Sequence, residues 1–207
     1  MLVLGLDTAT PAVTVAVADG ARVLASSSTV DARRHGELVA PAVAAALAEA
    51  GAVATDLDLI AVGVGPGPFT GLRVGLVTAR TMGAALGVPV LGVCTLDLLA
   101  LEAGLPGTSM VATDARRREV YWARYQDVRR TDGPHVSAPA GVAWSGPVVG
   151  EGALLYPEAF PDAREPRHPS AATLCRWVAE DRPTLEPWPL YLRRPDVAEP
   201  RARKRVL

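Results

Sequence analysis

Residues 59–75 read Leu-Ile-Ala-Val-Gly-Val-Gly-Pro-Gly-Pro-Phe-Thr-Gly-Leu-Arg-Val-Gly, an apolar run that breaks at a glycine-proline turn and resumes as the start of a helix. A helix that begins there presents free backbone N–H groups and the positive end of its dipole, chemistry suited to holding an anion. As a phosphate cradle the turn is poor. Pro66 and Pro68 have no N–H to donate, the spacing is neither G-x-G-x-x-G nor G-x-x-x-x-G-K-[ST], and no lysine follows. A turn that only shapes the fold satisfies the pattern equally well. Lys204 is the sole lysine of the chain, which removes Schiff-base and P-loop chemistry. Cys94 and Cys175 are too few for a disulfide framework or a metal cluster, and both are expected as small buried hydrophobes.

The helix after the turn carries Gly71, Gly75, Ala79 and Gly83 at four-residue intervals, a stripe of nearly bare backbone. Such a stripe admits a close neighbour. Glycine in a helix costs about 1 kcal/mol relative to alanine, so tight packing must compensate, whether inside the chain or against a partner. The surrounding elements follow from periodicity. Strands are expected at 2–7, 13–18 and 22–28, with Asp19-Gly20 as a hairpin turn. A helix at 35–50 places Val39, Val43, Ala46 and Leu47 on one face, with Pro41 as a kink or late start. Strand 59–64, helix 70–86, strand 88–93 and helix 96–103 complete a βββαβαβα order. The pattern partly restarts after Gly104, with strands at 109–113 and 119–125, a Pro/Gly/Asp-rich stretch at 131–139, a strand at Val148-Val149 and a helix at 170–180. Two domains are therefore expected, residues 1–104 and a smaller 105–207.

The 207 residues are 49% hydrophobic with mean hydropathy +0.20, enough to bury a substantial core. No apolar run reaches membrane-spanning length and the first residues lack the pattern of a signal peptide, so a cytoplasmic protein without membrane association is expected. Residues 1–104 carry net charge −4 and residues 105–207 net +3. That polarity is too mild for an autonomous nucleic-acid binder, although the basic tail at 201–205 could meet RNA phosphates within an assembly.

The start Asp7-Thr8-Ala9-Thr10, the segment Arg34-His35-Gly36-Glu37-Leu38 with Pro41, and the run Gly65-Pro66-Gly67-Pro68-Phe69-Thr70-Gly71-Leu72-Arg73 resemble the TsaB (YeaZ) family of the actin-like ATPase superfamily. So do the turn Asp114-Ala115-Arg116 leading to Glu119-Val120-Tyr121-Trp122-Ala123, and the closing Pro189-Leu190-Tyr191-Leu192-Arg193-Arg194-Pro195. The resemblance covers nearly the whole chain. It implies an α/β actin-like fold with two βββαβαβα-type subdomains, the second reduced. It also implies a non-catalytic subunit of the machinery that forms threonylcarbamoyladenosine beside the tRNA anticodon. Its partners would be a TsaD-like transferase and a TsaE-like ATPase, with tRNA met through the complex and self-association when the chain is alone.

By the same resemblance the partner interface would be built from His35, Leu38, Val39 and Val43 on the first helix and from Gly71, Gly75, Ala79 and Gly83 on the second. TsaD-like enzymes hold a metal with Asn-His-x-x-x-His, and here Thr95 and Leu99 stand at the two histidine positions, where neither can ligate iron or zinc. His35, His135 and His168 are the only histidines, none four residues from another. Asp7, Thr8 and Thr10 would form a vestigial phosphate hairpin, with Ala9 in place of a glycine and Pro11 lacking a donor; Asp114 and Arg116 would mark a second degraded loop. Gly146, Gly150 and Gly152 suit either a remnant of an adenosine-side turn or ordinary turn geometry. No catalytic residue, metal or cofactor of its own is expected, weak nucleotide binding at most, with ATP and metal used by partner subunits. The alternative is a small sugar or carboxylate kinase of the same superfamily, with Asp7 ordering magnesium.

Overall fold

The computed structural model describes residues 1–193; the basic tail at 201–205 and the last two residues of the closing motif, Arg194 and Pro195, lie outside the described residues. Strands β1 (Leu2–Asp7), β2 (Ala12–Asp19) and β3 (Arg22–Val30) form an antiparallel meander. Helix α1 (His35–Glu49) leads to β4 (Leu59–Gly63), helix α2 (Phe69–Leu86) to β5 (Val90–Val93), and α3 (Thr95–Ala103) follows. Both later strands run parallel to β1, giving the sheet order β3-β2-β1-β4-β5.

The second sheet repeats this plan. Strands β6 (Thr108–Asp114), β7 (Val120–Gln126) and β8 (Arg129–Ser137) form the meander, and β9 (Val148–Val149) and β10 (Ala163–Arg164) lie parallel to β6. Its order, β8-β7-β6-β9-β10, matches the first sheet strand for strand. A single turn of 3-10 helix at Pro139–Gly141 occupies the place of α1, and α4 (Glu151–Leu155) has only five residues where α2 has eighteen. Among the described residues helix α5 (Ala171–Ala179) is the last regular element.

Both faces of the first sheet are buried, and its strands alternate accordingly. Leu4, Leu6, Val13, Val15, Val17, Ile60 and Val62 turn toward α1 and α2, meeting Val39, Val43, Leu47, Leu72 and Leu76. Val3, Ala16, Ala18, Leu59 and Ala61 turn the other way, onto Ala171, Leu174, Cys175 and Trp177 of α5. Helix α3 serves both halves: Leu98 and Leu101 join the α5 cluster, while Leu96, Leu99 and Ala100 pack on Val111, Ala123, Tyr125 and Val149 of the second sheet. Ser170 caps α5 by accepting the Ala172 N–H at 3.2 Å, and Glu102 of α3 accepts the Ser170 N–H at 2.8 Å.

The Pro/Gly/Asp-rich stretch at 131–139 forms most of β8, which tolerates Pro134 because an edge strand has one side free of ladder bonds. One expectation is corrected: α1 does not start late at Pro41 but runs from His35 through it, and the exposed position of Pro41 leaves the carbonyl freed by the missing N–H open to solvent. Helix α4 and strand β10 are too short for periodicity to reveal. Among the described residues no helix is long and apolar enough to cross a membrane. Because α5 covers one face of the first sheet together with Leu98 and Leu101 of α3, Leu174→Ala, at a fully buried position, should lower stability by about 2–5 kcal/mol in urea unfolding.

Candidate functional site: a sealed turn and an open helical groove

The β1–β2 turn lies against the amino-terminal ends of three helices, and side-chain hydrogen bonds fix it there. Asp7 is fully buried. Its Oδ1 accepts the Ala9 N–H at 2.7 Å, and its Oδ2 accepts the Thr95 hydroxyl at 2.7 Å from the first residue of α3. That hydroxyl in turn accepts the Gly65 N–H at 3.2 Å. The Thr8 hydroxyl donates to the Gly71 carbonyl at 2.7 Å and accepts the Gly75 N–H at 2.9 Å, so it bridges one rung of the α2 ladder. His35 is buried, and its Nε2–H donates to the Thr10 carbonyl at 2.8 Å. Burial pushes the Asp7 carboxyl above its ordinary range, against the opposing pull of the Thr95 and Ala9 hydrogen bonds and the His35 charge.

These contacts bear on whether a nucleotide phosphate fits. Both Asp7 oxygens and the Ala9 amide are engaged within the chain, Pro11 and Pro66 have no N–H, and Gly67 backs so closely on the Ala9 carbonyl that a Cβ there would overlap it. The first hairpin does not fit a phosphate. In the second loop Arg116 turns back on Asp114, its N–H to Oδ1 at 2.8 Å and its Nη1 to Oδ2 at 3.2 Å. Arg116, Arg117 and Arg118 all adopt left-handed backbone, with φ of 62°, 55° and 63°, a conformation that L side chains resist. Gly150, with φ of 106°, and Gly152 pack against Ala112, which accounts for both glycines by close approach. Thr95 and Leu99 are fully buried. Among the described residues no group of three or more His, Cys, Asp or Glu is placed to hold a metal ion.

The glycine stripe faces inward, which corrects the expectation that it meets a partner. A Cβ on Gly71 would lie 2.8 Å from the Thr8 carbonyl and one on Gly75 2.5 Å from the Thr8 hydroxyl; one on Gly83 would overlap the Val90 side chain, and Ala79 is fully buried. The stripe exists so that α2 can approach the β1–β2 turn and β5. His35, Val39 and Val43 are likewise buried in the chain's own core, and Leu38 is partly buried against it. The side of α2 turned away from the stripe is different. Phe69 and Val77 are 45% and 59% exposed, and with Thr70, Arg73, Val74 and Thr78 they line an open groove of about 540 Å³ against Gly36, Val39 and Ala40 of α1. Of the predicted interface residues, only Val39 reaches this groove.

A family model described as "TsaD: tRNA N6-adenosine threonylcarbamoyltransferase" matches residues 22–150. The crystal structure of YeaZ from Pseudomonas aeruginosa is 32% identical, with a TM-score of 0.78 over 92% of this chain and 99% of that one. The chain belongs to the YeaZ/TsaB family. An uncharacterized Mycobacterium tuberculosis protein is 48% identical over 204 residues, 94% of this chain and 92% of that protein. The Escherichia coli tRNA threonylcarbamoyladenosine biosynthesis protein TsaB is 37% identical over 129 residues, 61% of this chain and 55% of its own length. The duplicated sheets of this YeaZ/TsaB member are those of the actin-like ATPase fold.

The groove residues had a signal in the sequence that the glycine stripe masks: Phe69, Arg73 and Val77 form a second line at four-residue spacing on the opposite side of α2. Thr95 as the partner of Asp7, 88 residues away, had none.

Asp7→Ala leaves the Ala9 N–H and the Thr95 hydroxyl without their buried acceptor and should cost about 1–3 kcal/mol in denaturant unfolding. Asp7→Asn should cost less. The raised carboxyl of the folded chain keeps its proton where the unfolded chain has lost it, so this group's contribution to stability is present in acid and falls as pH rises above about 4. Asp7→Asn should remove that fall, and its deficit relative to the native chain should shrink with rising pH. Gly75→Leu should unfold the monomer itself, seen as lost far-UV dichroism, because the space it needs is held by Thr8 and Leu6.

Proposed function

We propose that this YeaZ/TsaB member is a non-catalytic subunit of the threonylcarbamoyladenosine-forming complex. In this reading it docks a TsaD-like transferase on the outer groove between α1 and α2 and supports modification of the adenosine beside the tRNA anticodon. The observation that carries the reading is a contrast: the turn where an actin-like ATPase would hold phosphate is closed by the chain's own hydrogen bonds, while an apolar helical groove stands open. Family membership favours a TsaD-like partner for that groove. ATP and metal then belong to the partner subunits, a TsaE-like ATPase joins the assembled pair, and tRNA is met by the complex as a whole. Alone, the chain covers the same groove by pairing with a second copy.

Reconstitution tests the reading. Threonylcarbamoyl transfer to tRNA by a TsaD-like subunit, a TsaE-like ATPase and ATP should require this chain. Val77→Glu sets a charge in the middle of the groove at an exposed position that leaves the core untouched. It should weaken capture of the TsaD-like subunit at least about tenfold, as expected for an unpaired charge in an apolar contact. Full transfer without the chain, or transfer by the chain alone, overturns the proposal.

A further inference from the structure

The last described residues, 184–193, form a strap along the edge of the first half. Leu185 exchanges two backbone hydrogen bonds with Gly92 of β5, both 2.8 Å, and the Leu190 N–H donates to the Val64 carbonyl at 2.8 Å. Between these anchors Trp188 lies under the Arg80 guanidinium of α2, 3.7 Å from ring centroid to carbon. Beyond them Tyr191 stacks on Phe69 with centroids 5.4 Å apart, and its hydroxyl accepts the Arg73 Nε–H at 2.9 Å. Arg73 lies 3.9 Å over the other partner of that stack, Phe69. The strap ends on the second half, where Arg193 donates to the Ala115 carbonyl at 3.2 Å and pairs with Glu119.

Phe69 and Arg73 are rim residues of the α1–α2 groove, and both are held by Tyr191. An exposed phenylalanine and a long arginine on a helix surface otherwise sample several rotamers, and ordering such side chains at an interface weakens binding. The three-membered stack of Tyr191, Phe69 and Arg73 fixes them before any partner arrives. We infer that the strap is a working part of the docking face: Tyr191 pre-shapes the Phe69–Arg73 rim for a partner that presents an apolar helical face with a carboxylate beside Arg73. The inference rests on the docking reading above, and it makes the occupant the TsaD-like subunit. Tyr191 is a positioning residue here, acting through Phe69 and Arg73. Through Arg193 the same strap ties the rim to the 115–119 loop, so the second half has a covalent and hydrogen-bonded route to a surface it does not touch.

The test is a mutant cycle on the full chain, read as the dissociation constant for a TsaD-like subunit. Val77→Glu and Phe69→Ala report on the groove itself. Tyr191→Ala should weaken binding about tenfold, and Tyr191→Phe, which keeps the stack and loses only the bond to Arg73, about threefold. In the Phe69→Ala background Tyr191→Ala should cost only the roughly threefold carried through Arg73, less than its tenfold cost in the native chain, the mark of a residue that acts through others. If Val77→Glu and Phe69→Ala weaken the complex while both Tyr191 variants leave it unchanged, or Tyr191→Ala adds in full to Phe69→Ala, the inference fails and the docking reading stands. If Tyr191→Ala weakens the complex and the groove variants do not, the partner sits on the strap itself and the inference fails. If no variant changes the affinity, the docking reading fails and the inference with it.

Discussion

A buried carboxyl group holds this fold together at its centre. Asp7 ends β1, and its two oxygens join three parts of the chain: the β1–β2 turn through the Ala9 amide, the start of α3 through Thr95, and, one bond further, the turn after β4 through Gly65. Each partner relieves part of the penalty for burying the acid, and each is positioned in return. Thr8, next along the chain, does the same for α2 by bridging Gly71 and Gly75. Two neighbouring side chains thereby bring four elements to one point. That point is filled by the protein's own hydrogen bonds.

The closed turn and the open groove are two faces of one helix. Helix α2 can sit near Ala9 and Thr8 only because Gly71 and Gly75 have no side chain, and this approach orients Phe69, Arg73 and Val77 outward. What looks in a linear sequence like a smooth docking stripe is the internal surface, and the open apolar groove lies on its reverse. The distinction follows from which neighbour needs the missing Cβ. Thr8 and Val90 need it within the chain.

Much of the fold was legible because burial writes a period into the chain. The alternation in β1 and β2, the βββαβαβα order, and the helices at 35–49, 69–86 and 171–179 follow from apolar spacing that both faces of a covered sheet enforce. The elements that escaped were those whose reasons are not local. Strand β8 contains Pro134 and Gly133, which read as a turn until the sheet edge is known. The glycine stripe signals a close approach but not its direction, and neither Thr95 nor Tyr191 has a pattern of its own: their partners lie 88 and 118 residues away.

The exchange of terminal helices between the halves has a consequence for how the chain is made. The face of the first sheet that carries Val3, Ala16 and Ala61 is covered by α5, whose residues are synthesised roughly 110–170 positions later. A growing chain that has completed β1 to β5 therefore still exposes that face, and its first half cannot close cooperatively until Leu174 and Trp177 have left the ribosome. Docking of α5 joins the most distant parts of the sequence, the slowest kind of contact to form. The nascent protein thus keeps one face of its first sheet partly uncovered until α5 arrives, although the two halves repeat a single plan.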